Sequence, residues 1–241
     1  MTNKLVIDIV RENISTSKVF FHYGIDYCCN GTITLAEAIK DLEVDMNTVI
    51  NELKKHLSDN LPSEENMHLM MPDELIEIIK DKHHGYLHLN LPLIHESGQI
   101  AVRENPEEAK VLVDLLSAFV ELRDNLNKNI FKEDNIIFPY ILNITEAYKN
   151  DLKIDIAPFR KITNALNFME LENNKTHMLL SKIRTLSNNY SAEPSSSKIC
   201  KLFYSKLKEM EEEIYIHLYI QNHILFPKAI ELENTVSGTV N

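Results

Sequence analysis

The chain has 241 residues, 44% of them hydrophobic, with 25 Lys and Arg against 36 Asp and Glu, a formal charge of -11. That is enough apolar material for one large domain, or a moderate one plus a small one, and the negative sign argues against nucleic acid or an anionic membrane as the primary partner. No apolar run approaches the roughly 20 residues that span a bilayer, and acids interrupt the opening MTNKLVIDIVRE too early for a secretory leader, so a cytosolic protein is expected.

Five glycines, no Trp and long stretches rich in Leu, Ile, Lys and Glu predict an all-α fold. An N-terminal module over 1–58 reads as helical at 4–13, 18–23, 35–42 and 46–56, punctuated by Tyr23-Gly24 and Asn30-Gly31. A polar, Pro-containing linker follows over 59–71. Four longer helical patterns then run over about 72–100, 106–143, 156–189 and 194–233, and joined by short connections they make a four-helix bundle. Residues 234–241 read as a flexible tail. Pro72, Pro106 and Pro194 fit helix starts, where a missing N–H costs little. Pro139 and Pro227 fall in or just past last turns, and Pro92, inside a helical pattern, predicts a kink or break.

Two stretches repeat one design: Glu133-Asp134-Asn135-Ile136-Ile137-Phe138-Pro139 and Gln221-Asn222-His223-Ile224-Leu225-Phe226-Pro227. Each is preceded by a polar residue four positions earlier, Asn129 and His217, so each pair lies one turn apart on a single helix face. That face is otherwise apolar, with Leu115, Phe119, Leu122 and Leu126 in one copy and Met210, Ile214 and Leu218 in the other. On the remaining helices His84, Asn173 and His177 interrupt similar stripes. Polar pairs projecting into a bundle from several helices form either an internal metal site or a hydrogen-bonded core. Glu133 carries the most information, because a buried carboxylate needs a partner charge or a metal.

Three cysteines do not make a disulfide framework. The adjacent Cys28 and Cys29, next to a Gly-containing turn, read as thiol donors to a metal or a partner, with Cys28 near enough to a helix start for a lowered thiol pKa. Cys200, between Ile199 and Lys201, reads as core.

Residues 18–38, KVFFHYGIDYCCNGTITLAEA, resemble the short N-terminal domain of the iron-sulfur cluster repair proteins, the repair-of-iron-centres or ScdA/YtfE-like family, through the run Ile25-Asp26-Tyr27-Cys28-Cys29-Asn30-Gly31. Leu91-Pro92, the two Phe-Pro stretches, and Ile183-Arg184-Thr185-Leu186 before Asn188-Asn189-Tyr190 extend the likeness along the chain. The resemblance implies a hemerythrin-like bundle holding two irons through four histidines and two bridging glutamates. Laid on this chain, His84, Glu133 and His217 match metal positions, while Asn129 and Asn173 stand where histidines belong and Gln221 where a glutamate belongs. What survives is numerically the ligand set of a mononuclear non-haem iron site, with His177 as a substitute nitrogen one turn beyond Asn173. The implied function is release or transfer of iron to clusters damaged by nitrosative or oxidative stress, with Cys28 and Cys29 handling metal or thiol exchange. No turnover chemistry is evident. The implied partners are iron-sulfur proteins with damaged clusters, with a homodimer as the self-association to test. Two other readings stay open: a metal-free interaction or regulatory module, and a mononuclear-iron gas sensor.

Overall fold

The computed structural model describes residues 1–28, 31–40, 42, 44–58, 67–154 and 161–237. These residues fold as all-α, with one isolated bridge between Leu5 and Thr34. Near the N-terminus α1 (Val6–Glu12), α2 (Ser17–His22), α3 (Leu35–Ile39) and α4 (Met46–Ser58) bury their apolar residues in a shared core. Thr34 and Glu37 cap α3 reciprocally, each satisfying an N–H that the first turn leaves without a partner. Gly31 sits where the chain returns over α1: an added Cβ would stand 2.4 Å from the Tyr27 carbonyl oxygen and 2.9 Å from the Ile7 side chain, so a side chain there would push the Tyr27 backbone away. Cys29, Asn30 and most of the expected linker lie outside the described residues.

Four long helices form the rest. The first is α5 (Pro72–Ile78), a π turn (Ile79–His84) and α6 (Gly85–Glu104); the second is α7 (Ala109–Lys132), a π turn (Glu133–Ile137) and α8 (Phe138–Lys149). The third is α9 (Ile162–Leu186), and the fourth is α10 (Lys198–Ile220), a π turn (Gln221–Leu225) and α11 (Phe226–Val236). The first packs on the second and fourth, the second on the third, and α8 on α11. At Gly98 an added Cβ would come within 2.8 Å of Leu116 and 2.9 Å of Phe203, so glycine lets the first, second and fourth helices close on one another there. Glu233 ties the far end, accepting from the Tyr140 hydroxyl at 2.7 Å and from the Ile162 N–H at 2.9 Å.

Several expectations about proline are corrected. Pro72 does open a helix, but Pro106 and Pro194 lie in turns, three and four residues before α7 and α10 begin. Helix α6 continues through Pro92 without a break. Pro139 and Pro227 do not mark helix ends: each follows a π turn, and the helix runs on to Lys149 and Val236. The Phe before each proline donates its N–H five residues back, Phe138 to the Glu133 carbonyl and Phe226 to the Gln221 carbonyl. That is the π register, and a proline following it, having no N–H, requires no acceptor from the widened turn. The tail also departs from expectation over 234–236, which is helical, with Val236 buried.

The N-terminal segment and the bundle share one continuous apolar core. Tyr27 lies against Tyr215 and Tyr219 of α10, with ring centroids 5.7 and 6.3 Å apart. No helix among the described residues is long and apolar enough to cross a membrane.

Candidate metal centre

Each π turn delivers polar side chains to the interior. His83 and His84 end the first, Glu133 begins the second and Gln221 begins the third. A π turn carries one residue more than an α turn, which lets a helix re-aim a side chain without losing register on either flank, and such turns concentrate at functional sites. Glu133 and His84 are 1% and 2% exposed, Gln221 is fully buried and His217 is 4% exposed.

The structure brings His84, Glu133 and His217 together, with one donor atom from each lying within 4.8 Å of the others. His84 Nε2 is 3.0 Å and His217 Nε2 is 3.6 Å from Glu133 Oε2. His84 Nδ1 is held at 3.1 Å by Asp134 Oδ1. With Nε2 turned to a metal, that second contact is an Nδ1–H donated to a carboxylate, an arrangement that fixes the ring and raises its basicity as a ligand. His83 is held likewise by Glu213 at 2.6 Å, and its ring stacks parallel to His217 with centroids 5.8 Å apart. Asp134 and Glu213 escaped the sequence reading because each contact crosses between helices; the acidic pair Glu133-Asp134 was the one local hint.

Electrostatics suit a cation. Burial pushes the Glu133 carboxyl up, but the His84 hydrogen bond and the His217 and His84 imidazoles outweigh it and the net direction is down. Gln221 lies close enough to favour the charged carboxylate, yet its amide is outside hydrogen-bond geometry. Burial holds the His217 imidazole down to about 3, so its ring is neutral near pH 7. Its Nε2 has no hydrogen-bond partner among the described residues, and neither do Asn129 Oδ1 or either amide atom of Gln221. Two imidazole nitrogens 3.0 and 3.6 Å from one carboxylate oxygen are a donor set for a first-row divalent ion, for which bonds of about 2.1 Å set neighbouring donors about 3 Å apart.

Two expectations fail on geometry. His177 does not serve as a substitute ligand: its Nδ1 meets the Tyr215 hydroxyl at 3.0 Å and its Nε2 faces Asp26 Oδ2 at 3.3 Å, toward the N-terminal segment. Nor do Asn129, Asn173 and Gln221 satisfy one another as a hydrogen-bonded core. Asn173 instead donates to Asn222 Oδ1 at 3.3 Å.

Cys28 sits beyond Asn222, with the Asn222 Nδ2 donor 3.9 Å from its sulfur, and the His223 Nε2–H donates to its carbonyl at 2.8 Å. The Cys28 N–H donates to Asp26 Oδ1 at 3.0 Å. The thiol is thus buried and borders a cleft of about 340 Å³ whose walls include Asn167, Glu170, Asn174, His223 and Phe226. Helix α3 begins at Leu35 under its own Thr34 cap, so its N-terminus is spent on that cap. Cys29 lies outside the described residues. Cys200 is fully buried, and burial pushes its thiol up.

Comparison with known proteins gives a consistent likeness. Residues 2–57 match the ScdA_N domain, described as a domain of unknown function (DUF542). The iron-sulfur cluster repair protein ScdA of Staphylococcus haemolyticus is 25% identical over 232 residues, covering 95% of this chain and 99% of that protein. ScdA of Staphylococcus epidermidis is 24% identical over 93% of this chain and 97% of its own length. The iron-sulfur cluster repair protein YtfE of Salmonella schwarzengrund is 25% identical over 89% of this chain and 90% of its own. With an ScdA_N domain at its N-terminus and relatives matched along most of its length, the chain is similar as a whole to the ScdA and YtfE iron-sulfur cluster repair proteins.

Proposed function

We propose that this chain repairs iron-sulfur clusters damaged by nitrosative or oxidative stress, carrying iron at His84, Glu133 and His217 and delivering it to damaged cluster proteins in the cytoplasm. The single observation that carries this reading is the buried His217 Nε2, without a hydrogen-bond partner among the described residues and 3.6 Å from a carboxylate oxygen that His84 also approaches, in a chain similar almost end to end to proteins of that name. Iron held there supplies a labile cargo, bound by two neutral nitrogens and one carboxylate. Asp134 and Glu213 orient the two adjacent histidines, and the apolar bundle excludes water around Glu133. Cys28 and Cys29 handle metal or thiol exchange in this scheme. Support comes from the place of Cys28, whose thiol borders a cleft and is linked through Asn222 to Asn173.

The test is reactivation of a [4Fe–4S] dehydratase inactivated by nitric oxide, using the full chain loaded anaerobically with Fe(II). Recovery of activity is expected with the wild-type protein and not with His84→Ala/His217→Ala, and the Cys28→Ser/Cys29→Ser variant should be impaired while binding iron normally. Equal recovery with metal-free protein, or none under any loading, would replace this reading with a metal-free interaction module.

A further inference from the structure

We propose that the centre of this chain is a single-ion site with five protein donors, in which the amide oxygens of Asn129 and Gln221 join His84 Nε2, His217 Nε2 and a Glu133 oxygen around one first-row divalent metal. This rests on the metal reading of the three-residue group and adds to it the ligand set and the stoichiometry.

Position comes first. Asn129 precedes Glu133 by one turn on the second helix and Gln221 follows His217 by one turn on the fourth, so each amide shares an inward face with a donor already in the group. Asn129 is 4% exposed and Gln221 fully buried, both inside a core where amide groups normally pair. Asn129 Oδ1 and Gln221 Oε1 nevertheless have no partner among the described residues. Asn173, equally buried on the third helix, is turned away instead: its Nδ2–H donates to Asn222 Oδ1 at 3.3 Å. The two unpartnered amide oxygens lie on the helix faces that carry Glu133 and His217, and the Gln221 amide, whose nitrogen is likewise unpartnered, can turn its oxygen to a cation.

Charge and donor supply then limit the number of ions to one. The only anionic donor in the group is Glu133, so one dication leaves a single positive charge in the interior and a second would leave three. The third helix turns its nearest polar side chains to other partners. Asn173 is committed to Asn222, His177 to Tyr215 and Asp26, and Glu172 to Lys132 at 3.2 Å. Two nitrogens and three oxygens, four of the five donors neutral, suit Fe(II), Mn(II) or Co(II) and favour the divalent over the trivalent state.

The test is anaerobic reconstitution of the full chain with Fe(II) or Mn(II), followed by metal analysis and native mass spectrometry. One ion per chain is expected, with a Mn(II) resonance of an isolated ion. Asn129→Ala and Gln221→Ala should each weaken Mn(II) binding about 10- to 100-fold, whereas Asn173→Ala should change it less than about threefold. X-ray absorption of the iron-loaded wild-type protein needs no variant, and should show mixed nitrogen and oxygen neighbours with no metal–metal distance. Absence of any bound metal would overturn both this proposal and the carrier reading. Two ions per chain, or a metal–metal distance, would overturn the single-ion proposal and leave the carrier reading standing. One ion whose affinity is unchanged in two folded amide variants would overturn the amide ligation.

Discussion

Asp134 meets His84 at the ring nitrogen not used by Glu133, and its carboxylate can fix which nitrogen carries the proton. Asp134→Ala is expected to lower metal affinity about 10- to 100-fold with helix content unchanged, read by competition with a chromophoric chelator. A second buried carboxylate, Glu211, lies outside the centre. It accepts from Arg184 at 2.7 and 3.2 Å and from the Tyr190 hydroxyl at 2.5 Å. Burial pushes the Glu211 carboxyl up despite those partners. The folded state therefore holds this proton at pH values where the unfolded chain has already released it, so the associated stability is complete below the ordinary 4.5 and is lost as pH rises through the raised value. As pH falls from neutral to the ordinary 4.5 the wild-type protein should gain stability relative to Glu211→Gln, by no more than about 1.4 kcal/mol per pH unit. Parallel denaturant titrations of the two proteins check it, and a constant difference between them would contradict the assignment.

At the scale of elements, the four long helices were legible because hydrophobic periodicity survives over twenty or more residues, and His84, Glu133 and His217 were legible because polar residues interrupt that periodicity. The π turns were not. They add one residue without disturbing the apolar faces on either side, so the pattern of Leu122, Leu126 and Ile130 continues into Ile137 and Ile141 almost unmarked. What the repeated Phe-Pro did encode was a hydrogen bond reaching five residues back, where a helix end had been expected from proline chemistry alone. The partners Asn222, Asp134 and Glu213 lay beyond reach for another reason: which of several inward polar residues meet depends on helix rotation, and sequence spacing fixes that only within a helix. Deleting the exposed Asn135 should convert the second π turn to a regular α turn. Helix α7 and helix α8 would keep their faces while Glu133 turns away from His84, so metal occupancy is expected to fall at least tenfold with the far-ultraviolet helix signal retained. Retained occupancy in the shortened, folded protein would show that the π turn does not aim the carboxylate.

Across the whole molecule, the N-terminal segment is fastened to the third and fourth helices. Asp26 faces His177, the Arg184 guanidinium lies 4.9 Å from the centre of the Phe21 ring, and His223 holds the Cys28 carbonyl. Arg184 is itself placed by Glu211 and by Asn189, the middle of three successive residues with left-handed backbone, Asn188, Asn189 and Tyr190. Because Cys28 is 5% exposed and reached only through its cleft, lifting of the segment would widen the access of reagents to its thiol. His177→Ala should therefore raise the alkylation rate of Cys28 several-fold at neutral pH and leave Cys200 unchanged, read by mass spectrometry of the quenched protein. Equal rates in the two proteins would show that this contact does not hold the segment down. The same fastening acts on the order of events during synthesis. Cys28 leaves the ribosome 195 positions ahead of His223, which holds its carbonyl in the folded protein, an interval of at least about ten seconds at the usual rate of 5 to 20 residues per second. For most of that interval neither the third nor the fourth helix has been made, so a group that ends buried stays open to its surroundings for seconds during synthesis.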